Sequence, residues 1–134
     1  MAASNNTDNL GSEFIDFSLI GVDGKIYSSD DFKNAEVLII IFMCNHCPYV
    51  KGIIDRFTEF QNKYKSKNVQ LAGINSNDTV NYPEDSFENM KLFSSEHKMN
   101  FPYLFDESQD IAKKYNAVCT PDIFVYDKNR ILKY

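Results

Sequence analysis

Cys44-Asn45-His46-Cys47-Pro48 puts two thiols three residues apart where a strongly apolar run ends and an amphipathic stretch begins. Two sulfurs at that spacing are the parts of a reversible disulfide. A strand feeding into a helix there leaves Cys44 in the loop and Cys47 in or next to the first helical turn. Unpaired N–H groups and the positive end of the helix dipole favour a thiolate at such a place. The expectation is that Cys44 is the exposed attacking sulfur, with a pKa below the free-cysteine value of about 8.5. Cys47, more enclosed, resolves the mixed disulfide. His46, between the sulfurs, modulates thiolate stability when protonated. Pro48 suits a first helical turn, where its missing N–H has no intrahelical partner to lose, and it pushes Cys47 toward a capping conformation.

Two other uses of these residues compete with the redox pair. Cys44 and Cys47 could be inert core thiols, since cysteine is often buried. Cys44, His46, Cys47 and Cys119 could ligate copper or zinc, although a structural zinc site usually shows two well-spaced ligand pairs. The chain holds three cysteines, an odd number, and is too large to depend on disulfide staples. In a reducing compartment a close pair is catalytic or metal-binding rather than structural. The redox reading is preferred.

The elements that position the pair can be read around it. Val37-Leu38-Ile39-Ile40-Ile41-Phe42 is continuously apolar, the pattern of a strand covered on both faces, and is expected to be the central parallel strand of the sheet. Val50, Ile53, Ile54, Phe57, Phe60 and Tyr64 recur at helical spacing and predict a helix from about Pro48 to Lys65. Val69 to Asn75 is the next strand, which completes a right-handed βαβ unit. Pro83 is expected to open a second helix carrying Phe87, Met90 and Phe93 and ending near His97, which offsets its dipole. Phe101 to Phe105 is extended. Ser108 caps a helix holding Ile111, Ala112 and Tyr115 and stopped by Asn116. Ile123 to Tyr126 and Ile131 to Tyr134, joined by a turn at Asp127-Lys128-Asn129, form a closing hairpin. At the start, residues 1–11 are polar and expected to be a mobile tail. Phe14, Phe17 and Leu19 mark a short strand, Asp23-Gly24 a tight turn, and Lys25-Ile26-Tyr27 its return. Ser28 to Phe32 is a capped helical turn.

A chain of 134 residues with 43% hydrophobic and 25% charged residues suits one globular domain, here 12–134. Its net charge of −5, without a Lys/Arg block, argues against nucleic acid or anionic lipid as a partner. No apolar run approaches the ~20 residues of a membrane span. Met1 to Leu10 lacks the basic start and apolar core of a secretory signal, so the expected location is the cytoplasm.

Several stretches together resemble the thioredoxin-like superfamily and, within it, the AhpC/TSA (peroxiredoxin-like) redoxins that carry Cys-x-x-Cys. They are Phe14 to Leu19 with Asp23-Gly24, Phe42 to Lys51, Gly73 to Asp78, Phe101 to Asp106, and Val118-Cys119-Thr120-Pro121-Asp122. The resemblance spans nearly the whole chain from Gly11. It implies a three-layer α/β fold with a mixed central sheet and an N-terminal hairpin extension. It makes Thr120-Pro121 the cis-proline loop facing the cysteines, where the Thr120 backbone pairs with an extended substrate and Cys119 becomes an accessory thiol. Asn75, Asn77, Asp78 and Tyr49 are expected to line the same edge, where open α/β sheets tend to bind ligands.

The resemblance implies thiol–disulfide exchange through Cys44 and Cys47, with no cofactor beyond electrons from a dithiol donor such as a thioredoxin or glutathione system. Its substrates would be disulfides in proteins or small molecules. An antioxidant thiol peroxidase and a metal-delivering redoxin are the alternatives. Peroxiredoxins carry Thr or Ser three residues before the peroxidatic cysteine, where this chain has Ile41. Thioredoxins carry a buried acid six residues before the first cysteine, where this chain has Leu38. The fold also normally continues from its last hairpin into a covering helix, so the sequence reads as truncated at Tyr134, or as leaving that face to a partner.

Overall fold

The computed structural model describes residues 15–45, 48–115, 117 and 121–134, with the backbone alone for 48–51. The alternating and continuous apolar runs form six strands: β1 Ser18–Gly21, β2 Ile26–Ser28, β3 Val37–Phe42, β4 Val69–Asn75, β5 Tyr103–Phe105 and β6 Asp122–Tyr126. They make one mixed sheet in the order β2-β1-β5-β4-β3-β6. β3, β4 and β5 run parallel, while β6 is antiparallel to β3 and β1 is antiparallel to β2 and β5. Among the described residues three helices cover the sheet: α1 Pro48–Tyr64, α2 Phe87–Glu96 and α3 Asp110–Tyr115. This is the expected three-layer architecture with its hairpin extension.

Each sheet face carries its own core. On one face Leu38, Ile40, Phe42 and Phe124 pack with Ile111 and Tyr115 of α3. The rings of Phe42, Tyr115 and Phe124 meet edge to face at 5.3–5.7 Å between centroids, a favoured aromatic geometry. On the other face Ile41, Met43 and Leu71 pack with Ile54 of α1 and with Met90 and Phe93 of α2. The strict alternation of β3 therefore feeds two layers, which is why its sequence shows no polar face.

Several expectations need correction. β3 is interior but lies one strand from the edge, because β6 adds outside it. The helix after the loop does not begin at Pro83: Pro83–Asp85 is a separate 3₁₀ turn, and Ser86, extended at ψ 161°, caps α2 by accepting from Asn89 N at 3.2 Å. Ser108 caps the start of α3 as expected, its Oγ accepting from Asp110 N at 3.3 Å, and the carboxylate of Asp106 adds to it by accepting from Ile111 N and Ala112 N at 3.1 Å each. The closing hairpin forms with one bridge, Tyr126 to Leu132, and with backbone hydrogen bonds from Asp127 N to Ile131 O at 3.2 Å, Lys133 N to Val125 O at 2.8 Å and Val125 N to Tyr134 O at 3.1 Å. On α1, Phe60 turns outward against Tyr64, their rings 4.7 Å apart. Gln61 takes the buried place instead, two turns on from Ile54.

Gln61 is buried for a backbone reason. β5 pairs only with Gly73, Ile74 and Asn75 of β4, so the first half of β4 has no strand on that side. The Gln61 amide takes the missing strand's role, donating to Val69 O at 2.9 Å and accepting from Leu71 N at 2.7 Å. Buried backbone groups need such partners. Gly24, at φ +85°, makes the β1–β2 turn, a backbone conformation suited to glycine.

Four tyrosines are held as neutral phenols. Burial pushes Tyr103 and Tyr115 well above the usual phenol range. Burial also pushes Tyr126 up to about 12, and the hydrogen bond to Asp23, followed by burial, pushes Tyr27 up to about 12. An unfolded chain releases these protons near pH 10, whereas the folded chain keeps them. The stabilisation is thus complete below about pH 10 and is lost as pH rises through 12. The urea unfolding midpoint should fall steeply from pH 10 to 12, with part of the phenolate absorbance appearing only as the chain unfolds. A midpoint that stays level across that range would contradict the assignment.

Candidate active site at the carboxyl edge of the sheet

The parallel pairing of β3 with β4 ends with Phe42 opposite Ile74 and continues one step further, Met43 N donating to Ile74 O at 2.9 Å. The chain then leaves the sheet as Cys44 and Asn45 and re-enters regular structure at Pro48, the first residue of α1. Cys44 therefore sits in the strand-to-helix loop, as its spacing implies. Phe42 also pairs with Asp122 of β6, which brings Pro121 to the same edge. Pro121 is half-buried.

Cys44 is not the exposed sulfur of the sequence reading. It is 1% exposed and belongs to the core layer of Ile41, Met43, Ile54 and Tyr103. Reaction at this sulfur requires local opening of the loop. His46, Cys47, Cys119, Thr120 and Asn116 lie outside the described residues, as does the side chain of Tyr49. The Cys44–Cys47 pairing, the Thr120-Pro121 peptide and a metal site using Cys119 fall outside them as well. Among the described residues, no group of three or more His, Cys, Asp or Glu could hold a metal ion, and no helix is long and apolar enough to cross a membrane.

Beneath the cysteine loop lies a polar cluster that the sequence reading only touched. Asn45 is buried and held from three sides. Its backbone N donates to Asp85 Oδ1 at 2.7 Å, its Nδ2 donates to Glu84 O at 2.9 Å, and its Oδ1 accepts from Tyr103 OH at 2.8 Å. Asp85 is fully buried and its Oδ2 accepts from Asn77 Nδ2 at 2.8 Å. Asn75, also fully buried, donates from Nδ2 to Asp85 O at 2.8 Å and accepts from Asn77 N at 3.0 Å. The 3₁₀ turn, the end of β4 and β5 thus converge on the residue that follows Cys44.

The expected rim residues separate accordingly. Asn75 is a buried support and not a lining residue. Asn77 reaches the cluster through Asp85. Asp78 turns to its own loop, accepting from Val80 N at 2.9 Å and from Asn81 Nδ2 at 2.6 Å. Sequence reading missed Asp85, Asn45 and Tyr103. Treating Pro83 as the first residue of a helix puts Asp85 in a solvated first turn. The one available signal is Ser86, whose capping role breaks the helix and frees Asp85 to turn inward.

Gly73 permits this convergence. A Cβ there would stand 2.8 Å from Met43 Sδ and 3.3 Å from Tyr103 Cδ1. Without one, both side chains cross β4, and Tyr103 reaches Asn45. Burial and then the charges of Asp85 and Cys44 raise the Tyr103 phenol, which keeps it a hydrogen-bond donor. His97, placed late in α2 as expected, caps that helix and packs its ring 4.4 Å from that of Phe93. An open cleft of about 430 Å³, lined among others by Tyr27, Asp31, Lys65 and Gln70, lies at the opposite end of the sheet from Cys44.

Comparison with known proteins follows the same outline. The model of the AhpC/TSA family matches residues 10–134. A structure of an uncharacterised conserved protein from Geobacillus kaustophilus is 43% identical, with a TM-score of 0.90 over 93% of this chain and 67% of that one. The thioredoxin domain of a thiol-disulfide oxidoreductase from Bacteroides vulgatus superposes with a TM-score of 0.78 at 20% identity, covering 92% of this chain and 84% of that one. That likeness speaks for the fold alone, and the fold is thioredoxin-like. Peroxiredoxin Q of rice (Oryza sativa subsp. japonica), a chloroplastic protein, is 24% identical over 92% of this chain and 57% of its own length. The chain spans little more than half of that curated relative.

Proposed function

Since this chain belongs to the AhpC/TSA family, we propose that it is an oxidoreductase performing thiol–disulfide exchange through Cys44 and Cys47. The observation that carries the reading is the position of Cys44, in the loop between β3 and α1 at the carboxyl edge of the sheet, with a second cysteine three residues on. Ile41 favours exchange over peroxide reduction. It is an apolar, buried strand residue at the offset where peroxiredoxins carry the hydroxyl that helps to hold peroxide.

In the proposed cycle the Cys44 thiolate attacks one sulfur of a substrate disulfide. The substrate S–S bond breaks, a Cys44–substrate bond forms, and the other substrate sulfur leaves as a thiolate that takes a proton. Cys47, giving up its own proton, then attacks the Cys44 sulfur and closes the Cys44–Cys47 bridge, and the second substrate thiol leaves. Two electrons pass from the protein dithiol to the substrate. A thioredoxin-type dithiol, or two glutathione thiols leaving as their disulfide, restores the pair by the reverse steps, and Thr120 and Pro121 position the substrate. The direction of flow depends on the pair's reduction potential relative to its surroundings.

Treating the reduced protein with oxidised glutathione should give a product lighter by two hydrogens, with the new bridge mapped to Cys44 and Cys47. The same protein should accelerate insulin disulfide reduction by dithiothreitol and consume hydrogen peroxide negligibly. Failure to form that bridge would end the exchange reading, and peroxide turnover faster than insulin reduction would replace it with the peroxidase.

A further inference from the structure

We propose that Asp85 is a positioning residue for Cys44, gripping the peptide that follows it and opposing ionisation of its sulfur by a negative charge. The inference deepens the exchange function and rests on it for its biological meaning, but its test does not require turnover.

The geometry is specific. A carboxylate oxygen of Asp85 lies 2.7 Å from Asn45 N, the nitrogen bonded to the Cys44 carbonyl carbon. Glu84 O, one residue earlier, holds the Asn45 side chain. Asp85 and its immediate neighbour therefore fix both the backbone and the side chain of the first residue between the cysteines, from forty positions along the chain. Taking a carboxylate fully out of water is costly unless its oxygens are satisfied. Here both accept hydrogen bonds, from Asn45 N and Asn77 Nδ2. A neutral side chain could hold the loop at lower desolvation cost, so the charge itself calls for a use. A negative group held on the peptide that follows Cys44 disfavours a thiolate on that residue, and the water-excluded surroundings strengthen the effect. The amino end of α1 pulls the other way. Asp85 and α1 together would set the pH at which Cys44 becomes nucleophilic.

The other titratable groups around Cys44 are few among the described residues. From β5, Tyr103 presents a phenol that its burial, and then Asp85 and Cys44, keep neutral. From β6, Asp122 is in register with Phe42, but it alternates with Ile123 and belongs to the α3 side of the sheet. Glu84 is exposed and meets the loop through its backbone carbonyl only.

The test is a pH titration of the reduced protein read at the Cys44 Cβ carbon by NMR. Asp85→Asn can keep the network: its oxygen accepts from Asn45 N, and Asn77 rotates its amide to offer an oxygen to the new NH₂. Removing the charge should lower the Cys44 midpoint by on the order of one pH unit. Asn77→Ala, which breaks a hydrogen bond but keeps the charge, should leave the midpoint close to that of the parent. A folded Asp85→Asn protein with an unmoved midpoint overturns the proposal, and so does an Asn77→Ala shift of equal size. Should Asp85→Asn not fold, the Asp85 carboxyl carbon in the parent protein must show a step at the Cys44 midpoint, and a flat trace there overturns it. An unmoved midpoint in a protein that exchanges disulfides removes only this inference. A shifted midpoint in a protein that forms no Cys44–Cys47 bridge removes only the proposed function.

Discussion

Cys47→Ala, challenged with an oxidised substrate, accumulates a mixed disulfide on Cys44, and catalytic turnover falls by on the order of 10³-fold or more. Without the thiol three residues on, the covalent intermediate loses its resolving partner, while Cys44→Ala removes attack by that sulfur altogether. The structure adds a kinetic signature. Because Cys44 is 1% exposed, trapping must wait for the loop to open, so its rate should saturate with substrate concentration and rise in sub-denaturing urea. Mass spectrometry of the trapped species reads both the yield and the site. If Cys44→Ala traps instead, with the substrate on Cys47, the two sulfurs exchange roles and the buried Cys44 becomes the resolving thiol.

Gln61→Ala lowers the unfolding free energy by about 2–3 kcal/mol, from two lost hydrogen bonds that leave a buried Leu71 N and a half-buried Val69 O without them. Val69 O and Leu71 N cannot turn to another strand on that side, since β5 begins opposite Gly73. For a domain of ordinary stability, on the order of 5–15 kcal/mol, this is a large share. Gln61→Glu discriminates further. A carboxylate can accept from Leu71 N but has no proton for Val69 O, so its deficit should shrink in acid. Urea unfolding at pH 7 and pH 4 checks both variants. A Gln61→Ala loss below about 0.5 kcal/mol would mean that water replaces the amide without penalty.

The parts of the fold that could be read from residue order are those where one physical demand dominates. Val37–Phe42 must be covered on both faces, and it is. The βαβ unit around Cys44 and the Asp23-Gly24 hairpin followed for the same kind of reason. What escaped were choices settled by tertiary contact. Phe60 reads as inward by hydrophobicity, yet the inward place goes to Gln61 because a half-paired strand needs an amide more than the core needs a ring. Asp106 joins Ser108 at the start of α3 and also accepts from Ser76 Oγ at 2.7 Å, tying the helix to the loop after β4, a contact no local pattern announces. The cysteine motif was visible in the sequence, whereas the carboxylate that holds it was not. Asp85 is remote in sequence from Asn45, and the one local hint, the capping Ser86, says that the helix starts later but not which loop the acid meets.

The short reach of β5 has a consequence for how copies of the chain meet. A strand with unpaired backbone groups is a template onto which a strand from another molecule can add. The open half of β4 is closed to that addition by amides: Gln61 covers Val69 O and Leu71 N, and Gln70 Nε2 covers Leu71 O at 2.7 Å. Pro102 O covers Gly73 N at 2.9 Å, just before β5 begins. Two glutamines and a proline carbonyl thus keep a hydrophobic strand from recruiting its own kind, and their loss would show as self-association in concentrated solution.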